Sequence, residues 1–359
     1  MISREQRYWL FSGSLLLLTI LSKIFFLNGS VYSLDYGLFH PDGMLYSFQA
    51  LSYLGHSEAY AGSEISRFYL DNAVGNPVIA PESLYFANNS NWAIFQLRVL
   101  YPFLSVPFVF IFGLWGMLVI PVLSFVLLWF FVSVKLKDRF ALAVVTLLIL
   151  SASTTISRWM FSNISDPLLV ALLTVYLWVL PKLDQQSRIK NLIFTSLFIL
   201  ATGLTRFSLL LWFGVALYYL LKRNFFMSAG IVAVAFISFI PTLLVNFGGA
   251  ILPSHAGAPW YEKLALLPVQ LVKMHFVEFG QLFVLDRIFF VGLCFVIWLA
   301  LCNFRNDSSW LLLIVFCALA LTAGINGVLG VNFRYHLPIL PFLIPFLGNY
   351  NGSLLKFKK

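Results

Sequence analysis

Apolar runs of about 18 to 20 residues recur from one end of this 359-residue chain to the other, each long enough to cross a hydrocarbon core about 30 Å thick. Only 10% of the residues are charged, against roughly 25% in a soluble domain, so polar side chains are too few to cover a globule in water. The runs predict an all-α polytopic membrane protein. Trp9 to Leu27 is one of many such runs and lacks a small-residue cleavage site, so it reads as a first span and not a removable signal. Cys294, Cys302 and Cys317 lie in apolar runs with no ligand spacing between them, and read as small core residues.

Charge decides the topology. Apolar runs place spans near residues 8–27, 115–134, 140–157, 165–181, 190–205, 207–221, 227–247, 284–302, 309–327 and 334–348. The stretch from Val99 to Gly113 is ambiguous. If it dips in and returns, the basic clusters at Arg4/Arg7, Lys135/Lys137/Arg139, Lys182/Arg188/Lys190, Lys222/Arg223, Arg305 and Lys356/Lys358/Lys359 share one side. That side then holds 14 Lys/Arg and four acids, the other eight Lys/Arg and ten acids, with Lys23 inside the first span. The positive-inside rule makes the first side cytoplasmic. The expectation is a single integral membrane domain over 1–359, with about ten spans, both termini cytoplasmic, and a re-entrant or interfacial helix before span two. Two long extracytoplasmic loops follow, 28–98 and 248–283. The net charge of +9 then reports orientation and not nucleic acid.

Ionisable residues at or inside a span are costly and mark function by default. On the outer side a specific set collects: Asp35 and Asp42 after span one, Arg98, Arg158, Asp166, Arg206, and Arg334 with His336 at the mouth of the last span. Each has a plain alternative. Arginines at span ends snorkel to headgroups, Asp166-Pro167 is a helix-start signal, Asp42-Gly43 is a turn dipeptide, and His336 suits an interface. As a set, acids and arginines on one face suit transfer chemistry on an anionic lipid, a carboxylate taking a proton while arginines grip a phosphate.

Four ordered segments carry a resemblance. They are His40-Pro41-Asp42-Gly43-Met44-Leu45-Tyr46, Arg98-Val99-Leu100-Tyr101-Pro102-Phe103-Leu104, Gly203-Leu204-Thr205-Arg206, and Arg334-Tyr335-His336-Leu337-Pro338. Together with the long first loop, this set resembles the polytopic GT-C glycosyltransferase superfamily, whose bacterial members use polyprenyl-phosphate sugars. The resemblance implies a GT-C-like fold and an inverting transfer from a polyprenyl-phosphate donor to an extracytoplasmic glycan, lipid or protein. It implies acidic catalysis by Asp42 or Asp35, donor-phosphate contacts from Arg98, Arg206 and Arg334, and a pocket drawing on His40, Tyr46, Arg158, Asp166 and His336. Many relatives carry paired acids in this loop, whereas six residues separate Asp35 from Asp42, and Phe207 follows Arg206 where an acid is common. Which acid is the base, and whether a divalent metal takes part, stay open. The short loops lean towards a bacterial inner membrane. A lipid-linked-sugar flippase or other transporter is the rival; it would need access from both sides, and the one-sided charges favour an enzyme. An assembly subunit without chemistry is a third reading.

Overall fold

The computed structural model describes residues 3–27, 38–72, 96–183, 187–206, 208–246, 260–303, 306–326 and 334–349. The apolar runs become helices, and no strand occurs among the described residues. In chain order these are α1 (Arg4–Leu27), α2 (Pro41–Tyr53), α3 (Glu58–Asn72), α4 (Leu100–Phe112), α5 (Val119–Leu136), α6 (Phe140–Ala152), α7 (Thr154–Met160) and α8 (Asp166–Leu183). There follow α9 (Arg188–Gly203), α10 (Leu209–Leu221), α11 (Phe225–Asn246), α12 (Trp260–Leu285), α13 (Arg287–Cys302), α14 (Asp307–Asn326) and α15 (Leu340–Asn349). Tight 3₁₀ turns at Gly113–Leu118 and Arg334–Ile339 lead into α5 and α15.

Two helical stretches, Arg4–Phe25 and Leu100–Leu136, are long and apolar enough to cross a membrane, and a third is added if the bent pair α6 and α7 counts as one. Five further helices are apolar, with 10 to 17 residues in the described stretch of each. The thirteen residues of α10 rise about 20 Å, short of a 30 Å core, whereas the 22 of α11 rise about 33 Å. Caps and bends interrupt some of the runs. Ser153, for instance, ends α6 and caps α7, accepting the Ile156 N–H at 3.0 Å.

Hydroxyls join helices whose surfaces are otherwise apolar. Tyr8 donates to the Ser133 carbonyl at 2.9 Å, Ser12 shares a hydrogen bond with Ser133 at 2.8 Å, and Trp129 Nε1 donates to Ser12 at 3.0 Å. Thr19 pairs with Ser151 at 2.7 Å, so α1 is fastened to α5 and α6. The outward surface carries large apolar side chains such as Phe25, Phe110 and Phe276. The three cysteines lie on it as well, exposed, which corrects their assignment to the core. They sit in apolar runs, but on the faces turned away from the neighbouring helices.

Two bends shape the part of the fold that holds the site. At Gly113 the backbone takes φ +59°, and the chain folds back on α4. Tyr101 donates to the Met117 carbonyl at 2.7 Å, and a β-carbon on Gly116 would stand 2.2 Å from the Phe108 carbonyl oxygen. Glycine at 116 therefore permits backbone to lie on backbone. The second bend, 67° between α6 and α7, is pinned by Asp286. Its carboxylate accepts from Ser153 Oγ at 2.5 Å and from the Thr155 N–H at 2.9 Å, while capping α13 through the Phe289 N–H at 3.2 Å.

Charged pairs respect the sides given by the charge count. Glu5 meets Lys137 at 3.9 Å, Lys222 meets Asp307, and Arg139 donates to the Leu347 carbonyl at 2.9 Å. The charged residues in these contacts are ones that the count groups on one side.

Candidate functional site

The site is built where α2, the start of α8, the end of α9 and the 3₁₀ turn before α15 meet. Asp42 lies in the first turn of α2, opened by His40, whose Nδ1 accepts the Asp42 N–H at 3.1 Å. Asp166 lies in the first turn of α8. Sequence alone offers either helix capping or a place in the pocket as its role; its carboxylate receives two arginines. Arg334 donates to Asp166 Oδ2 from Nε at 3.1 Å and from Nη2 at 2.9 Å, and Arg206 pairs with Oδ1. The third nitrogen of Arg334, Nη1, stands 2.7 Å from Asp42 Oδ2. One guanidinium thus holds both acids, its rigid fork side-on to Asp166 and its remaining arm on Asp42.

The two acids are not equivalent. Asp166 is 2% exposed and Asp42 30%, so Asp42 is the carboxylate that an incoming molecule reaches. Burial opposes charge on Asp42, but Arg334, with Arg98 behind it, outweighs that and holds its carboxyl well below the ordinary carboxylate range. His40 goes the other way: burial, assisted by Arg334, Arg158 and Arg206 and opposed by Asp42, pushes its imidazole down to about 3. It is neutral at physiological pH, as its acceptor role at the Asp42 N–H requires.

Arg98 donates to the Tyr46 hydroxyl at 3.4 Å, and Tyr46, fully buried, also shares a hydrogen bond with Ser165 at 2.8 Å. The Leu100 N–H donates to the Leu204 carbonyl at 3.1 Å. Arg206 lies over the Tyr335 ring with its guanidinium carbon 4.5 Å from the centroid. All four sequence segments therefore converge through direct contacts. His336 is the exception: two residues beyond Arg334, it is directed to Glu278 of α12, 3.8 Å away and as buried as itself, with the rings of His275, Phe279 and Phe316 around it. Asp35 lies outside the described residues. Among the described residues no group of three or more His, Cys, Asp or Glu is disposed to hold a metal ion.

Trp159 is the residue that the sequence did not single out. It is buried, and the Arg158 and Arg334 guanidinium carbons stand 5.0 and 5.1 Å from its ring, with the His40 ring at 5.5 Å. The 67° bend before α7 turns this indole into the site, and nothing in local sequence predicts such a bend. Beside Arg334 lies a narrow crevice with about 10 Å³ of free volume, the room of roughly one water molecule. Arg206, Arg334 and Asp166 line one part of it and Leu169, Leu211 and Leu319 another, with Ser208 and Thr322 hydroxyls between. Charged groups and an apolar wall thus meet in one crevice.

No protein-family model, curated protein or solved structure matches this chain.

Proposed function

We propose that this chain is an integral membrane glycosyltransferase that moves a sugar from a polyprenyl-phosphate donor to an acceptor on the outer side of the membrane. The observation that carries the reading is the bridging of Asp42 and Asp166 by Arg334, beside a cleft that pairs two arginines with a leucine wall. The phosphate meets Arg206 and Arg334 and the sugar extends past Arg334 towards Asp42 and Trp159, while the buried leucines part for the isoprenoid chain to lie along them. Asp42 takes the proton of an acceptor hydroxyl as that oxygen bonds to the anomeric carbon. The bond from this carbon to the phosphate oxygen breaks, the electron pair stays on the phosphate, and configuration inverts. General-base help of this kind is worth about 10² to 10⁴-fold, and arginines already in place stabilise the leaving phosphate.

Arg334 depresses the basicity of Asp42. A phosphate that takes Arg334 Nη1 displaces Asp42, the partner held by one arm, before Asp166, which is held by two. Donor binding thereby frees the base when there is a sugar to transfer. The same reading takes the chain as a protein of about ten spans with cytoplasmic termini in a bacterial inner membrane; the fold-back at Gly113 supports its re-entrant segment, and the outward apolar residues support a membrane setting.

Purified protein in vesicles, given a labelled polyprenyl-phosphate sugar and an acceptor extract, tests the reading. Label moved to acceptor supports it. Label moved across the bilayer while still on the lipid identifies a flippase instead, and neither outcome identifies a subunit without chemistry.

A further inference from the structure

We infer that Asn163 is a positioning residue for Asp42, and that position 43 is glycine so that Asn163 can seat against it. The inference rests on the reading of Asp42 as the base and extends it to a residue that no part of the proposed chemistry uses.

Asn163 is fully buried in the turn between α7 and α8, three residues before Asp166. Its own N–H donates to the Leu38 carbonyl at 3.0 Å. Its Oδ1 accepts the His40 N–H at 2.8 Å, which fixes the orientation of the carboxamide, and Nδ2 donates to the Tyr69 hydroxyl at 2.5 Å. A β-carbon on Gly43 would stand 2.2 Å from both Nδ2 and Oδ1. A clash with the end of a side chain is ordinarily relieved by swinging that end away. Here swinging it away breaks the bonds to His40 and Tyr69 and strands buried polar groups. Glycine at 43 is therefore a condition of the clamp.

The clamp grips the chain on either side of Asp42. His40 is held through its N–H and Gly43 through its bare Cα, while the Gly43 N–H returns to the His40 carbonyl at 2.8 Å and closes the turn. The same turn ends in Ser165, which holds Tyr46, and Asp166, which holds Arg334. One short segment thus sets base and arginine in a common frame. Misplacing a reacting group by about 1 Å costs on the order of 100-fold in rate.

The test uses the full chain in detergent with Asn163→Ala, Gly43→Ala and the double variant. Hydrogen exchange is read over residues 38–46, and kcat and donor KM are measured separately. The expected result for Asn163→Ala is faster exchange confined to that stretch, with kcat lowered by about tenfold or more and donor KM within about threefold, because the arginine cleft does not use Asn163. Gly43→Ala shifts both readings in the same direction, and the double variant is no worse than Asn163→Ala, since the methyl enters the space the carboxamide left. Unchanged exchange, unchanged kcat, or kcat and KM lost together with folded protein each overturns the inference. Should Asn163→Ala fail to fold, Gly43→Ala loads the same contact without removing a bond and decides the matter. If the wild type transfers nothing, the transferase reading falls, and exchange alone still decides whether Asn163 clamps the turn.

Discussion

Arg334 reaches Asp42 with a single arm, 2.7 Å from Nη1 to Oδ2, although it is anchored to Asp166 by two. The weaker attachment belongs to the more exposed acid, and the account of function turns on that asymmetry.

If Asp42 and a phosphate compete for the same arginine arm, removing the carboxylate favours the phosphate. Asp42→Asn is expected to bind a long-chain alkyl phosphate about tenfold more tightly than the wild type, the scale of one hydrogen bond to a charged group. Titration of tryptophan fluorescence in detergent measures it. Weaker binding in Asp42→Asn shows that the acid does not compete.

Asp166 serves two buried arginines at once, so its loss strands both. Asp166→Asn is expected to destabilise the fold by about 3 to 5 kcal/mol, the range for breaking a buried pair from one side. Asp42→Asn leaves Arg334 with Asp166 and costs about 1 kcal/mol. Thermal unfolding of the two variants in the same detergent compares them, and equal midpoints contradict the assigned division of roles.

The His40 imidazole gives the fold a dependence on pH. Its pKa is about 3 in the folded chain and about 6.5 when unfolded. Between these values the unfolded state binds a proton that the folded state refuses, so stability falls as pH drops from about 6.5 towards 3, by about 1.4 kcal/mol per unit at the steepest. Asp42 works in the opposite sense: its folded pKa is depressed, so its contribution is complete above the unfolded carboxylate value and fades only in stronger acid. His40→Asn retains an acceptor for the Asp42 N–H. This variant is expected to lose less stability than the wild type between pH 7 and pH 5. Parallel curves for the two proteins mean that His40 binds its proton equally well in both states.

Orientation has its own check. Single cysteines at positions 137 and 222 are expected to react with a membrane-impermeant thiol reagent only from the cytoplasmic side, and one at position 158 only from the outer side. Position 137 reacting from outside removes the re-entrant segment and the topology built on it.

Much of this was legible in the sequence because cost made it visible. Charges are scarce in so apolar a chain, so Asp42, Arg98, Arg206 and Arg334 stood out, and their convergence is what their placement at one face implies. Asn163 and Trp159 were not legible. An asparagine in a turn and a tryptophan in an apolar run have ordinary explanations, and what distinguishes them is contact with residues far away in the chain. His336 shows the converse, since adjacency to Arg334 in sequence does not fix direction: a tight 3₁₀ turn sends it to Glu278. The break of the run 140–157 was hidden for a related reason, because the bend at Ser153 is stabilised by Asp286, more than a hundred residues further on.

The most direct measurement is sugar transfer by purified wild type and Asp42→Asn side by side, from a labelled polyprenyl-phosphate donor, with the anomeric configuration of the product determined. The account predicts an inverted product from the wild type and a rate lowered by about 10² to 10⁴-fold in Asp42→Asn, with the donor still bound. Equal rates in the two proteins, or a product of retained configuration, contradict it.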